Sequence, residues 1–176
     1  MIYLTSDLHL NHSNILKYES ESRPFETIEE MNETLISNWN NVVNDDDTVY
    51  VLGDFFMGKI ETIVEILPRF KGKIKLIRGN HDTKPRIKEF EKLGIEVKDI
   101  EYLDYKGKFF VLCHFPMTNE EFLQMVVEYN SEVCVLYGHT HHNAPAGYVA
   151  NTYHVGVDTN NLTPVSIEQI WRESQI

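Results

Sequence analysis

The sequence has few cysteines and no long apolar run. Its 176 residues include only two cysteines, Cys113 and Cys134, and both lie inside apolar segments with a strand pattern. That placement favours reduced, buried thiols in a cytosolic protein over a disulfide or a thiol nucleophile. No apolar run approaches the roughly 20 residues that cross a bilayer, and polar residues follow Leu4 too soon for the apolar region of a signal peptide. We therefore expect a cytoplasmic protein with no membrane partner.

Positive charge is also scarce. The chain has 16 Lys and Arg residues against 27 Asp and Glu residues, which gives a formal net charge of −11 at pH 7. Because duplex nucleic acid normally binds to a broad basic face, this balance argues against a duplex-binding surface. It does not exclude phosphate chemistry, since bound divalent cations can reverse the local potential.

Internal repeats, linkers and low-complexity segments are missing as well. The composition is that of an ordinary soluble protein, with 42% hydrophobic and 24% charged residues. The length is enough to bury one hydrophobic core. We predict a single domain over residues 1–176, and the sequence does not indicate an oligomeric state.

Strand-like and helix-like segments alternate along the chain. Strand patterns cover 2–6, 48–52, 73–78, 97–105, 108–113, 133–137, 153–157 and 165–167, and helical patterns cover 14–18, 27–43, 60–70, 86–93 and 167–171. The two strand patterns around Lys106-Gly107 predict a β-hairpin. Helices mixed with parallel-type strands and one hairpin predict an α/β layered fold.

Two helices are predicted to begin at capping boxes. Thr27 with Glu30, and Thr118 with Glu121, have the required spacing. Apolar residues then recur at helical spacing and are predicted to face the core. They are Ile28, Met31, Leu35, Trp39 and Val42 in the first helix and Phe122, Leu123, Val126 and Val127 in the second.

The residues best suited to bind metal follow directly on five predicted strands. They are Asp7 and His9, then Asp54, then Asn80 and His81 in the run Gly79-Asn80-His81-Asp82, then His114, and finally His139 and His141. Open α/β sheets place their ligands at such carboxyl ends. Each motif alone is more often a turn or a helix cap, with the His-x-His pair the most metal-like of them. Their joint occurrence at strand exits is what favours a metal site.

Spacing and ligand chemistry indicate what this site would bind. In extended backbone, residues i and i+2 point to the same side, so Asp7 with His9, and His139 with His141, could each direct two ligands at one ion. Mixed oxygen and imidazole ligands suit Mn, Fe, Zn or Ni better than Ca or Mg. Leaving His81 aside, seven ligands remain, which are too many for one four-coordinate ion and about right for two ions that share a carboxylate.

In this order, Asp7-x-His9, Gly53-Asp54, Gly79-Asn80-His81-Asp82, His114 and Gly138-His139-Thr140-His141 resemble the motif set of the calcineurin-like metallophosphoesterases. The similarity spans residues 7–141. The loop Arg23-Pro24-Phe25 and the sequence Gly156-Val157-Asp158 resemble the small bacterial and phage phosphoesterases of that superfamily. The resemblance implies two packed β-sheets flanked by helices, a four-layer αββα sandwich, with metals at the strand ends.

Carried over residue by residue, the resemblance also implies roles. Asp7, His9 and His141 would hold one divalent ion, Asn80, His114 and His139 would hold the second, and Asp54 would bridge the two. Mn²⁺ is the first choice of metal, with Fe, Zn or Ni as alternatives. The pair of ions would supply a hydroxide that attacks phosphorus in line. His81 corresponds to the general acid that protonates the leaving oxygen, and Asp82 to the residue that orients it.

The chain departs from the protein serine/threonine phosphatases of that superfamily in two places. Phe55-Phe56-Met57-Gly58 stands where those enzymes continue Asp-Arg-Gly, and Asp82 stands where they have Glu. A phosphoprotein substrate is therefore disfavoured, and we predict a phosphodiesterase acting on a small or nucleotide-like phosphorylated substrate. The alternatives are a phosphomonoesterase, a single-strand nuclease, which the missing basic and aromatic groove disfavours, and a non-catalytic metal-binding scaffold.

Arg23 and His12 are the predicted substrate contacts outside the metal ligands. Arg23 lies in a loop, and a guanidinium group pairs well with phosphate oxygens. His12 could touch the substrate or cap the short helix that follows it, and its position near a helix start favours the cap.

Overall fold

The computed structural model describes residues 1–118, 120–121, 124–125, 128 and 133–175. In this part of the chain the strands are β1 (Ile2–Thr5), β2 (Thr48–Leu52), β3 (Lys73–Ile77), β4 (Glu96–Lys98), β5 (Glu101–Tyr105), β6 (Lys108–Leu112), β7 (Val133–Tyr137), β8 (Tyr148–Val149), β9 (Thr152–His154) and β10 (Val165–Ser166). The α-helices with described bounds are α1 (Ile15–Tyr18), α2 (Ile28–Val42), α3 (Ile63–Ile66), α4 (Lys84–Lys92) and α5 (Ile167–Glu173).

The strands form two sheets of five strands each. The first sheet has the order β10-β1-β2-β3-β4, in which β1 to β4 are parallel and β10 is antiparallel to β1. The second has the order β5-β6-β7-β9-β8, in which β6, β7 and β9 are parallel and the two outer pairs are antiparallel. In each sheet the carboxyl ends of the parallel strands therefore meet at one edge. The predicted α/β fold of two sheets flanked by helices is confirmed.

Apolar side chains from both sheets share one core. Leu4, Leu52 and Ile77 of the first sheet cluster with Phe110 and Leu136 of the second, and none of the five is more than 1% exposed. Burying a side chain of this size is worth about 1.5–3 kcal/mol. This shared burial holds the two sheets face to face and fixes their strand ends relative to one another.

Helix α2 covers the outer face of the first sheet. The Thr27 hydroxyl accepts a hydrogen bond from the backbone N–H of Glu30 (3.2 Å), as expected of an N-cap. The Glu30 carboxylate accepts the N–H of Glu26 (3.1 Å) in place of that of Thr27, so only half of the predicted capping box forms. The predicted core positions do pack onto this face: Met31, Leu35 and Trp39 are buried, and Ile28 and Val42 are partly buried.

The second capping box is complete. Thr118 Oγ1 accepts the N–H of Glu121 (3.3 Å), and the Glu121 carboxylate accepts the N–H of Thr118 (2.8 Å). The apolar stripe predicted to follow it lies outside the described residues, namely Phe122, Leu123, Val126 and Val127.

Three predicted elements are wrong in extent. The strand predicted at 97–105 is two strands, because the chain leaves the first sheet after β4 and enters the second sheet at β5. The helix predicted at 60–70 is the single turn α3 between 3₁₀ turns at Ile60–Thr62 and Leu67–Arg69. Strand β9 ends at His154, and the last residue of the predicted strand lies in a 3₁₀ turn at Val157–Thr159.

Both cysteines are buried and unbonded, as predicted. Burial raises the pKa of each thiol to about 12, so neither Cys113 nor Cys134 offers a thiolate near neutral pH. In the part of the chain that the structure describes, no helix has the length and apolar character needed to span a bilayer.

The buried His154 predicts a pH dependence of stability. Burial is the main cause that lowers its pKa to about 4, whereas the unfolded chain has the ordinary value near 6.5. The unfolded state therefore binds more protons between these two values. The free energy of unfolding decreases by up to about 3 kcal/mol as the pH is lowered through that window. Urea denaturation of the parent and of His154→Gln across pH 4–7 should give a smaller pH dependence for the variant. Equal dependence in both proteins would contradict this assignment.

Candidate metal centre

The loops that leave β1, β2, β3, β6 and β7 converge at one edge of the two sheets. They bring the predicted ligands into two groups. The first ligand set is Asp7, His9 and His141, whose ligand atoms all lie within 4.8 Å of one another. The second ligand set is Asn80, His114 and His139, in which Asn80 Oδ1 lies 2.8 Å from His114 Nε2 and 3.0 Å from His139 Nδ1.

Asp54 lies between the two sets. Its Oδ2 is 3.7 Å from His9 Nε2 in the first set and 3.5 Å from His114 Nε2 in the second. Ligand atoms of Asp7, Asp54 and His114 also form a group within 4.8 Å. A carboxylate in this position can reach an ion held by either set.

The backbone of this site is left-handed at five residues that carry ligands. The φ angles are positive at Asp7 (57°), His9 (49°), Asp54 (55°), His139 (72°) and His141 (50°). Such angles are uncommon outside glycine and cluster at functional sites, where the surrounding structure must hold them. The extended backbone expected for Asp7 with His9 and for His139 with His141 is therefore wrong. Asp7 and His9 nevertheless lie in one ligand set, as predicted, whereas His139 and His141 lie in different sets, as the resemblance implied.

Hydrogen bonds between neighbouring loops hold this backbone in place. The N–H of Asp7 donates to Gly53 O (3.0 Å), and the N–H of His9 donates to Asp54 O (2.9 Å). Gly79 passes so close to Asp54 that a Cβ at this position would collide with its carboxylate. The glycine before Asn80 is thus needed because only a bare backbone fits against Asp54.

Several buried ligand atoms have no hydrogen-bond partner. Asp7 Oδ1 and both ring nitrogens of His9 are in this state among the described residues. Leaving buried polar atoms unpaired costs about 1–3 kcal/mol each, and a bound cation would satisfy them. Burial, followed by the charge of Arg23, lowers the pKa of His9 to about 2, which keeps the imidazole neutral as a metal ligand must be. Burial also raises the pKa of Asp7, a penalty that a nearby cation would oppose.

In the second set, the surroundings of His114 also favour a bound cation. Its Nδ1 lies 2.8 Å from the carbonyl oxygen of Leu52, which can only accept, so Nδ1 carries the proton. In the neutral ring the lone pair of Nε2 then faces Asn80 Oδ1 at 2.8 Å. Two acceptors at this distance repel each other, and a cation beside both would relieve that repulsion. The residues present therefore fit divalent metal ions.

His81 lies at the open side of the centre. Its side chain is 44% exposed, and its Nε2 lies 4.0 Å from Asp54 Oδ2. The N–H of His81 donates to Asp54 Oδ1 (2.8 Å), and its carbonyl accepts from the Arg86 guanidinium (2.9 Å). The ring thus faces the space above Asp54 while its backbone is fixed on both sides.

Among the described residues, no hydrogen bond or ion pair joins Asp82 to the His81 ring. Its Oδ2 accepts the backbone N–H groups of Gly79 (2.8 Å) and Asp54 (2.9 Å), and the side chain is buried. The expected role as the residue that orients His81 is therefore wrong at the level of direct contact. Asp82 joins the exits of β2 and β3, and so fixes the backbone on which Asp54 and Asn80 stand.

Arg23 is not a substrate contact. Its side chain is 0% exposed, and its guanidinium donates to the carboxylate of Asp158 and to the carbonyl oxygens of Asp7 and Leu8. A loop position suggested exposure from sequence, but the loop folds inward beneath the exit of β1. The prediction that Arg23 binds phosphate is wrong for this reason.

His12 lies at the rim of the centre. Its ring centroid is 5.5 Å from that of His9 and 6.4 Å from that of Tyr18, and the side chain is half-buried. Helix α1 has no side-chain cap, so the expected capping role is wrong. Contact between His12 and a substrate stays a prediction.

Asp158 is a site residue to which sequence reasoning assigned no role. Its Oδ2 lies 2.7 Å from Nδ1 of His141, and both of its oxygens accept from Arg23. Burial by itself would raise the pKa of Asp158, but hydrogen bonds from Arg23 and His141 outweigh it and hold that pKa far below its usual range. The Arg23-Pro24-Phe25 and Gly156-Val157-Asp158 motifs were visible in the sequence, but nothing there indicated that they meet.

The sequence is similar to a known protein family and to a known archaeal protein. The sequence matches the model of the calcineurin-like phosphoesterase superfamily domain over residues 1–155. An uncharacterized protein of Methanocaldococcus jannaschii is 40% identical over 176 residues, which cover 96% of this chain and 88% of that protein.

Two solved structures share the fold. A protein of unknown function from Aquifex aeolicus superposes with a TM-score of 0.80 at 24% identity and covers 98% of both chains. A structure described as a novel archaeal phosphodiesterase has a TM-score of 0.50 at 17% identity, with 88% of this chain and 81% of that one covered. At these identities the likeness concerns the fold alone.

Proposed function

Because the chain belongs to the calcineurin-like phosphoesterase superfamily, we propose that it is a metal-dependent phosphodiesterase acting on a small or nucleotide-like phosphate ester. The observation that carries this proposal is the pair of ligand sets on either side of Asp54, at the edge where the parallel strands of both sheets end. Metal-competent side chains with unpaired buried atoms rarely converge in this way without a chemical role.

The residues divide the work as follows. Asp7, His9 and His141 would hold one divalent ion, Asn80, His114 and His139 a second, and Asp54 would be shared. When bound, the ions would provide a hydroxide at neutral pH and withdraw charge from the phosphoryl oxygens. The positive charge of two divalent ions would exceed the negative charge of the carboxylates Asp7 and Asp54. The loaded centre would therefore be positive within an acidic protein and would attract a phosphate anion.

His81 would handle the proton of the leaving group. Its ring is exposed beside Asp54, and an accessible imidazole can give a proton to a departing alcohol. Fixation of its backbone by Asp54 and Arg86 limits the positions that the ring can take. A general acid held in this way commonly contributes on the order of 10²–10⁴-fold in rate.

A cavity beside the second ligand set supports an ester with a sizeable organic group. Its volume is about 830 Å³, and it is lined by Asn80 and His114 together with apolar side chains that include Ile100, Phe115 and Met125. This volume falls within the range of about 300–1,000 Å³ that is usual for small-molecule sites. The Phe115 ring is 51% exposed, and an exposed aromatic ring next to a phosphate site can stack on a flat group such as a nucleobase.

The proposal is tested with metal-stripped protein and two chromogenic substrates, a bis-aryl phosphodiester and the matching aryl phosphomonoester. We expect diester cleavage to be absent without metal and to return when Mn²⁺ is supplied. Fe²⁺, Zn²⁺ and Ni²⁺, assayed separately, would show whether another ion supports the reaction better.

Each other outcome points to a named alternative. Cleavage of the monoester alone would replace the diesterase by a phosphomonoesterase at the same centre. Binding of metal without turnover of either ester would favour the non-catalytic scaffold. Failure to bind any divalent ion would overturn the proposal.

A further inference from the structure

Arg23 uses its whole guanidinium group inside the protein. Nε and Nη2 donate to the two carboxylate oxygens of Asp158 at 2.7 and 2.8 Å, which is the two-pronged geometry of a strong arginine–carboxylate pair. Nη1 donates to Leu8 O at 2.9 Å, and Nη2 also donates to Asp7 O at 2.5 Å. Both carbonyls belong to the loop that presents Asp7 and His9, so Arg23 supports the left-handed backbone of that loop.

Asp158 extends the same support to a third ligand. Its Oδ2 lies 2.7 Å from His141 Nδ1, and Ser22 Oγ donates to its Oδ1 at 2.8 Å. A carboxylate partner places the proton of the imidazole on Nδ1 and leaves the Nε2 lone pair for a metal. Nε2 of His141 indeed faces the other way, 4.0 Å from Asp7 Oδ1.

These contacts reach Asp7 and His141 of the first ligand set directly, and His9 only through the carbonyl of its neighbour Leu8. In the described part of the chain, no hydrogen bond joins Arg23 or Asp158 to the side chains of Asn80, His114 or His139. The second set has its own support, since Leu52 O holds the His114 ring. The Arg23–Asp158 pair thus supports the first set, while the N–H of His139 donates to Asp7 Oδ2 (2.9 Å) and links the two sets.

We propose that the Arg23–Asp158 pair is a positioning device for one of the two metal positions, so that its loss weakens binding of the ion at Asp7, His9 and His141 and spares the other. This inference rests on the metal binding that the proposed function requires, but not on the ester that is cleaved. Partners of metal-bound histidines are typically worth about 10–100-fold in affinity. A selective effect on one ion distinguishes positioning from general support of the fold, which would weaken both.

The test measures Mn²⁺ binding to the metal-stripped full chain by isothermal titration calorimetry, with electron paramagnetic resonance of the loaded protein. The parent should take up two ions that are magnetically coupled. Asp158→Asn keeps the size of the side chain and should weaken one binding step by about 10–100-fold, leaving an uncoupled Mn²⁺ signal at limiting metal. Arg23→Lys, which cannot reproduce the planar fork, should act in the same direction.

Two further variants decide the interpretation. Asp47→Asn makes the same chemical change at a buried carboxylate that contacts the N-terminus and Asn44, and it should leave both binding steps unchanged. His139→Ala should weaken the opposite step, so that its combination with Asp158→Asn loses both. Equal weakening of both steps by Asp158→Asn, or no change in either, would overturn the inference while leaving the proposed function intact. Absence of metal binding in the parent would overturn both.

Discussion

Asp54→Asn should reduce metal-dependent ester hydrolysis by about 10³-fold. The substitution keeps the shape of the side chain and the Oδ1 that accepts the His81 N–H, so the loop geometry should survive. It removes the negative charge that lies within 3.7 Å of His9 Nε2 and 3.5 Å of His114 Nε2. Because that oxygen serves both ligand sets, both ions should bind more weakly.

The measurement combines steady-state hydrolysis of the phosphodiester with metal content after desalting. Asp46→Asn is the matched control, since Asp46 is an exposed carboxylate in the turn before β2. The control should keep full activity and full metal content. An Asp54→Asn protein that retains two tightly bound ions and near-parental turnover would show that Asp54 is not the shared ligand.

His81→Ala should separate good leaving groups from poor ones. An alkoxide cannot depart without a proton, so cleavage of an alkyl ester should fall on the order of 10²–10⁴-fold. A nitrophenolate is already a stable anion, so cleavage of a nitrophenyl ester should fall by less than about tenfold. Metal content should not change, because His81 stands outside both ligand sets.

Comparison of kcat for the two esters in parent and variant gives the answer directly. His81→Gln is a useful second variant, as it keeps a polar side chain but cannot deliver a proton in the same way. Equal losses on both esters would assign His81 to binding or to metal positioning and would remove it as the general acid. An unchanged rate on both would exclude it from the reaction.

The order of elements along the chain could be predicted from local patterns. Thr27 before a stripe of apolar residues specified α2, and Lys106-Gly107 between two apolar segments specified the hairpin of β5 and β6. Hydrophobic periodicity and turn preferences depend only on residues close together in the chain. They can therefore be identified from the sequence alone. The same patterns could not show that 97–105 is divided between two sheets, since the division depends on which strand each half pairs with.

The ligand types and their places at strand exits were likewise fixed by sequence. Parallel pairing gathers Asp7, Asp54 and Asn80 at one edge of the first sheet and His114 and His139 at one edge of the second, because parallel strands end on the same side of a sheet. The packing of the two sheets brings these edges together. The family resemblance also implied how they divide, but the physical reason for the division lies in the tertiary structure. Left-handed backbone at His139 and His141 sends one imidazole to each set, where extended alternation would have sent both to the same ion.

Only the tertiary structure could show which groups the side chains of Arg23 and Asp82 contact. The sequence offered a loop arginine suited to phosphate and an acid beside a histidine, and both interpretations were chemically sound. In the folded chain Arg23 is enclosed by Asp158 and by the carbonyls of Asp7 and Leu8, and Asp82 accepts backbone N–H groups from two strand exits. Arg23 and Asp158 lie 135 positions apart in the chain. The free energy of such a contact depends on burial and distance in space, which local sequence does not contain.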